Sequence, residues 1–219
     1  MSDTTTTRFQ RFLPWAGVLA GVAFAVSGAL TKDEPNIEND PASKVVAYYH
    51  DNGGLLFGSA VLGALSAVLL LFYVTALRAR LRSGEGGEGL YSAAAYAGGI
   101  ATAVSLAGWA WVRGAEQTAA SGSHGDATLA LGYLNDIGWL PWVTGTSVLM
   151  ISTGLGALRT ATLPRWFGVV SVVLGVLALL GPAGILVYFV SPFYFIAAGV
   201  LLSKTRTAVA TAPVPAYVD

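Results

Sequence analysis

The chain has 219 residues, of which 54% are hydrophobic and only 11% charged, and its formal net charge is zero. An ordinary soluble domain carries roughly 25% charged residues, so the composition excludes a typical water-soluble globule, and without a basic stripe nucleic acid is not an expected partner. The lack of cysteine removes disulfides, thiolate nucleophiles and cysteine-based zinc or iron–sulfur centres.

The apolar residues come in blocks of about 18 or more, a length that argues for membrane spans over core helices. In chain order, residues 13–30, 55–77, 91–112 and 137–158 each predict one span. The last uncharged stretch, Trp166 to Ser203, would make one helix of roughly 57 Å, nearly twice the hydrocarbon core. Gly181 and Pro182 supply a break, because both are turn formers and proline lacks a backbone donor. Two further spans, about 166–181 and 183–203, are therefore expected, with a re-entrant pair as the alternative because the first arm is short. The expected fold is all-α: a six-transmembrane-helix bundle.

Charge placement gives an independent reading. With a cytoplasmic N-terminus and six crossings, Arg8, Arg11, Arg78, Arg80, Arg82, Arg159, Arg165, Lys204 and Arg206 fall inside, and only Lys32, Lys44 and Arg113 outside. That asymmetry follows the positive-inside rule, which places both termini in the cytoplasm. Arg8 and Arg11 before an apolar run ending Ser27-Gly28-Ala29 loosely resemble a signal peptide, but the run is longer than the usual 7–15 residues and a retained helix is favoured.

Outside the spans, residues 40–53 (DPASKVVAYYHDNG) predict a short amphipathic helix on the outer interface, with Asp40 as N-cap and Val45, Val46 and Tyr49 on one face. Residues 1–12 and 204–219 read as disordered cytoplasmic tails, and SGEGGEG (83–89) as a flexible linker. Small residues recur every fourth position, as in Gly17/Gly21/Ala25, Ser59/Gly63/Ala67, Ala95/Gly99/Ala103/Ala107, Ser152/Gly156 and Ser171/Gly175, a spacing that lets helix backbones approach closely in lipid.

The stretch GWAWVRGAEQ (108–117) raises the functional question. Trp109, Arg113 and Glu116 fall at i, i+4 and i+7, on one helical face, while Trp111 points away. The next span begins with LNDIGWLPW, so Asp136 and Trp139 are expected at a similar depth. One reading is an interfacial anchor, with a snorkelling arginine, headgroup tryptophans and Asp136 capping a helix. The other is an outward-facing, ligand-binding pocket in which Arg113 and Asp136, with Glu116, form a buried ion-pair cluster walled by Trp109 and Trp139. Pro141 leans toward the pocket, because it frees a carbonyl near residue 137 and can kink the helix open. His50 with Asp51, and His124 with Asp126, lack a third ligand at sensible spacing, so no metal is expected. Tyr48 and Tyr49 read as interfacial ballast. Pro192 is expected to kink the last span beside an aromatic cluster.

No span contains lysine or histidine, and no ionisable residue lies deep in one. This excludes a retinal Schiff base or a bis-histidine haem within the bundle, so no cofactor is expected, and it argues against a proton relay. The sequence leans away from an enzyme; interfacial chemistry by Glu116 or Asp136 is the one catalytic route left.

Two segments, LPRWFGVVSVVLGVLALLGPAG (163–184) and VVAYYHDNGGLLFGSAVLGALSAVLLLFYVTALRARLR (45–82), resemble a group of uncharacterised small bacterial membrane proteins that carry a domain-of-unknown-function label. The resemblance implies a bacterial plasma membrane and about six helices, and it brings no catalytic residue with it. The expected role is a non-enzymatic binder of a small amphipathic or lipid-like ligand at the outer face. The alternatives are an accessory or assembly subunit with a membrane-protein partner or second copy docked on its small-residue stripes, and a small-molecule carrier.

Overall fold

The computed structural model describes residues 3–210, and the side chains of residues 10–204. Among these residues there are eight α-helices and no strand. They are α1 (Asp3–Ala29), α2 (Ala42–Asp51), α3 (Gly53–Glu85), α4 (Leu90–Ser121), α5 (Gly125–Asp136), α6 (Trp139–Thr160), α7 (Arg165–Ala178) and α8 (Pro182–Ala210). Four, namely α1 (over Gln10–Ala29), α3, α4 and α8 (over Pro182–Lys204), are long and apolar enough to cross a membrane. The chain is a helical membrane protein by this measure, with four such helices where the sequence leads one to count six. The other two fall short for different reasons. Helix α6 has 22 residues but carries Thr144, Thr146, Ser147, Ser152 and Thr153 along its length. Helix α7 has 14 residues, about 21 Å, too short for a core of about 30 Å.

Helices α1, α3, α4, α6, α7 and α8 close into a ring in which each packs on the next, and α8 returns to α1. Helices α2 and α5 sit over one end, both against α4. That end is called the capped end below. The opposite end carries Arg78, Arg80, Arg82, Arg159 and Arg165. The ring's outward surface is apolar, with Leu65, Val104, Trp111, Leu186 and Phe193 all exposed. Exposed hydrophobic residues around a whole bundle are what lipid contact requires.

Because lipid solvates leucine as well as protein does, close packing and hydrogen bonds must join the helices. The seams show both. A Cβ at Gly98 would lie 2.5 Å from the Leu149 backbone nitrogen, and one at Gly145 would lie 2.6 Å from that of Thr102. Ser27 and Ser59 each donate to the other's carbonyl, at 2.8 and 3.0 Å, clasping α1 to α3. The ring is filled by aromatic residues: Tyr73 packs on Phe195, and Phe167 stacks on Tyr194.

Several expectations change here. The tails are helical from Asp3 and as far as Ala210, because extending an existing helix costs far less than starting one; residues 1–2 and 211–219 lie outside the described part. SGEGGEG is no free linker: α3 continues through Glu85, and the turn is tied by Arg82 donating to the Gly87 carbonyl (2.7 Å) and by Glu85 accepting the Ser92 amide (2.8 Å). The break at 181–182 is a tight turn, with Gly181 at φ +55° and α8 starting on Pro182. Pro192 lies within α8, and the carbonyl it orphans at Tyr188 accepts the Ser191 hydroxyl at 2.8 Å. Pro141 sits in the first turn of α6, where no amide bond is lost, so it gives no reason for a kink.

Helix α2 also differs in its surroundings. Its N-cap is Pro41, and Asp40 instead accepts the Asn36 amide (2.9 Å) and Lys44 (2.6 Å). Its apolar face does not look toward lipid. Val45 and Tyr49 are buried with Leu56 and Ala120 in a small second core beneath the cap.

Candidate functional site

Helix α4 is 32 residues long, about 48 Å, so it outruns an apolar layer by several turns. The apolar run ends at Val112 but the helix goes on to Ser121, which places Arg113 and Glu116 mid-helix, under α2 and α5. Both are buried, at 3% and 0% exposure. Trp109, one turn below, lies under the guanidinium with its ring centre 5.2 Å from Arg113 Cζ. It is wedged against α3, since a Cβ on Gly63 would come within 2.8 Å of its Cζ3. The arginine is thus no snorkelling anchor.

Its principal partner is a residue that sequence reasoning missed. Arg113 donates to Glu34 Oε1 at 2.6 Å, and its distance to Glu116 Oε2 is 3.7 Å. Glu34 lies on the connection between α1 and α2. Its Oε1 also accepts a short hydrogen bond from the Tyr49 hydroxyl, so Tyr49 is a structural member of the cluster and not ballast. Burial, with Glu34 and Glu116 alongside, holds the Tyr49 phenol protonated well above its ordinary range. Tyr49 also lies against Glu116, yet neither Glu116 oxygen has a hydrogen-bond partner among the described residues.

Asp136 does not join this cluster. It is the last residue of α5, and Gly138 rather than Asp136 is the N-cap of α6. The aspartate is exposed and makes no ion pair among the described residues. Helix α5 leaves it on the exposed rim of the cavity, and Glu34 takes the place of the acid bonded to Arg113. The signal for α5 was present in Asp126 at its first turn; for Glu34 the signal was an acid a few residues beyond an apolar run, on the same side as Arg113.

These side chains wall a cavity of about 600 Å³ at the capped mouth of the ring. Arg113, Glu34, Lys32, Asn135 and Asp136 supply its polar wall, and Trp109, Trp139, Trp142, Tyr188 and Phe189 its aromatic one. The cavity therefore takes Trp109, Arg113, Asp136 and Trp139 into its lining, whereas Glu116 stands outside it, 3.7 Å from Arg113. Its floor is formed by Trp142 and Tyr188, with ring centres 5.0 Å apart, and Phe24, outside the lining, packs on both at 6.0 and 5.3 Å. A smaller chamber of about 260 Å³ shares the walls Glu34, Asn135 and Asp136 and adds Tyr49. Buried polar atoms left without a hydrogen bond among the described residues include Arg113 Nε, Asn135 Oδ1 and Trp142 Nε1. His50 and Asp51 pair at 3.1 Å but are exposed, and no group of three or more His, Cys, Asp or Glu placed to hold a metal occurs among the described residues.

Compared with protein-family models, with curated proteins and with solved structures, the chain matches none of them.

Proposed function

We propose that this protein is a non-enzymatic, six-span plasma-membrane binder that takes a small amphipathic or lipid-like molecule into the capped mouth of its ring, with that mouth facing outward and both termini in the cytoplasm. The observation that carries the reading is the cavity itself: about 600 Å³, aromatic on one side and charged on the other. Ligand sites run about 300–1,000 Å³ and combine an apolar wall with a few convergent polar groups. The six-span count rests on the closed ring, in which α6 and α7 stand beside α4 and α8. The orientation rests on the arginines gathered at the opposite end, and a bacterial membrane on the resemblance noted above. The filled aromatic interior below the floor favours binding over passage.

Native mass spectrometry of the detergent-purified protein tests this. A stoichiometric small molecule should accompany the wild type and be absent from Ser105→Trp, which fills the cavity from a side chain whose own hydrogen bond stays within α4, to the Ala101 carbonyl. Equal occupancy in both proteins would reject the reading. A second reading, docking of a partner helix, is favoured by a groove of about 740 Å³ between α3 and α4, lined by Ala60, Ala64, Ala107 and Gly114 beside the exposed Trp111. It gains support from a co-purifying protein that Ala64→Phe removes.

A further inference from the structure

We infer that the molecule held at this mouth is an amphiphilic cation, an alkylammonium head on an apolar body. This rests on the ligand-binding reading above and adds the sign of the charge. The first argument is the charge that lines the mouth. In the main cavity two cations, Lys32 and Arg113, face two acids, Glu34 and Asp136, with Arg113 bonded to Glu34. The smaller chamber shares Glu34 and Asp136 but has no cation of its own. A ligand group that reaches it is favoured by the site's field when it carries a positive charge.

The second argument concerns which groups have room to bond. Arg113 has little room for an anion: it is 3% exposed, bonded to Glu34 and covered by Trp109, although its buried Nε has no hydrogen-bond partner among the described residues. An anion would have to displace Glu34 and then lie near Glu116. The acceptors are freer. Glu34 takes both Arg113 and Tyr49 on the same oxygen, Oε1, and its side chain keeps 19% exposure. Asp136 is exposed, and Asn135 Oδ1 has no partner among the described residues. These three line both the main cavity and the smaller chamber, and the smaller chamber has no lysine or arginine in its wall. The third argument is the aromatic wall. Trp139, Tyr188 and Phe189 line the cavity, and aromatic ring faces attract alkylammonium groups through their quadrupoles. Their breadth also suits an apolar body.

The test uses the full chain in dodecyl maltoside, titrated with decyltrimethylammonium and, separately, decyl sulfate, and read by tryptophan fluorescence and native mass spectrometry. Binding sensitive to Ser105→Trp counts as binding at the mouth. The cation is expected to bind one to one and about tenfold or more tighter than the sulfate. Asp136→Asn, a neutral replacement of the same shape at an acid that lines both chambers, is expected to weaken the cation about tenfold and leave the sulfate no weaker; Glu34→Gln should act in the same direction. The inference is overturned if the sulfate binds as tightly as the cation, or if neither variant changes cation affinity. If neither probe binds in a Ser105→Trp-sensitive way, the ligand-binding reading falls with it. Adding phosphatidylethanolamine separates two sources of the same chemistry: competition assigns the ammonium to a lipid headgroup, and its failure assigns it to a free organic cation.

Discussion

The two ends of the bundle use the same pair of residue types in opposite ways. At the arginine end, Arg78 lies over Tyr96 at 4.8 Å and Arg159 over Tyr91 at 5.3 Å, and both arginines are exposed. At the capped end, Arg113 lies over Trp109 at a similar 5.2 Å, but it is 3% exposed and faces two carboxylates. A cation over a ring in water is worth about 0.5–1 kcal/mol and can be remade elsewhere. A guanidinium sealed under two helices cannot re-solvate, so its acids must stay with it. Depth, not the arginine–aromatic pair, separates a surface anchor from an internal hub.

The sharpest way to break this comparison is to remove the charge at each end. Arg113→Gln leaves the buried Glu116 and the part-buried Glu34 without a cation, and the expected loss is about 3–5 kcal/mol. Arg78→Gln removes an exposed cation and should cost less than about 1 kcal/mol. Thermal unfolding of both variants in one detergent measures the difference. Comparable shifts would show that Arg113 reaches water after all, and would remove the distinction between the ends.

What was legible in the sequence follows from short-range geometry. Helical periodicity alone puts Trp109, Arg113 and Glu116 on one face, and Gly181-Pro182 marks a turn by its backbone chemistry. Partner choice across the fold is another matter. Glu34 reaches Arg113 across 79 positions of sequence, and that depends on how residues 30–41 double back beneath α2, which no local pattern encodes. Asp136 is nearer in sequence to Trp139 than Glu34 is to anything in the cluster, yet the twelve residues of α5 carry it to the surface. Hydropathy likewise says nothing of how α6 packs: its hydroxyl groups make it less apolar, yet Thr146, Ser147 and Thr153 are buried. Ser147 donates to Val143 at 2.7 Å, and Thr146 meets Thr102 of α4 at 3.3 Å.

A smaller effect sharpens the comparison through packing. Gly63→Ala places a methyl 2.8 Å from Trp109 Cζ3, and that ring is held between α3 and the guanidinium. Overpacking of this kind costs about 1–3 kcal/mol. At the arginine end, Gly156→Ala meets Leu81 Cδ2 at 3.2 Å and Tyr91 Cβ at 3.3 Å. Leu81 can give by a few tenths of an ångström, so the cost there should stay under about 1 kcal/mol. If Gly63→Ala is the better tolerated of the two, Trp109 is free to swing, and the wall of the capped mouth is softer than its contacts imply.

The smallest expected effect has a distinctive pH signature. Tyr49→Phe deletes one donor to Glu34, which keeps Arg113, so the loss at neutral pH should be about 1 kcal/mol. The phenol's folded pKa lies above its ordinary value of about 10, chiefly through burial. A group raised in this way keeps its full contribution below the unfolded pKa, and stability falls as pH climbs from there toward the folded value. Wild type therefore loses stability above about pH 10 through Tyr49, whereas Tyr49→Phe has no proton to release at that position. The other tyrosines titrate in both proteins and cancel in the difference. Unfolding temperatures from pH 8 to 11 should show a gap that narrows only above pH 10; a constant gap would mean that Tyr49 titrates as a solvent-exposed phenol, and that the cap over Arg113 and Glu116 is open to water.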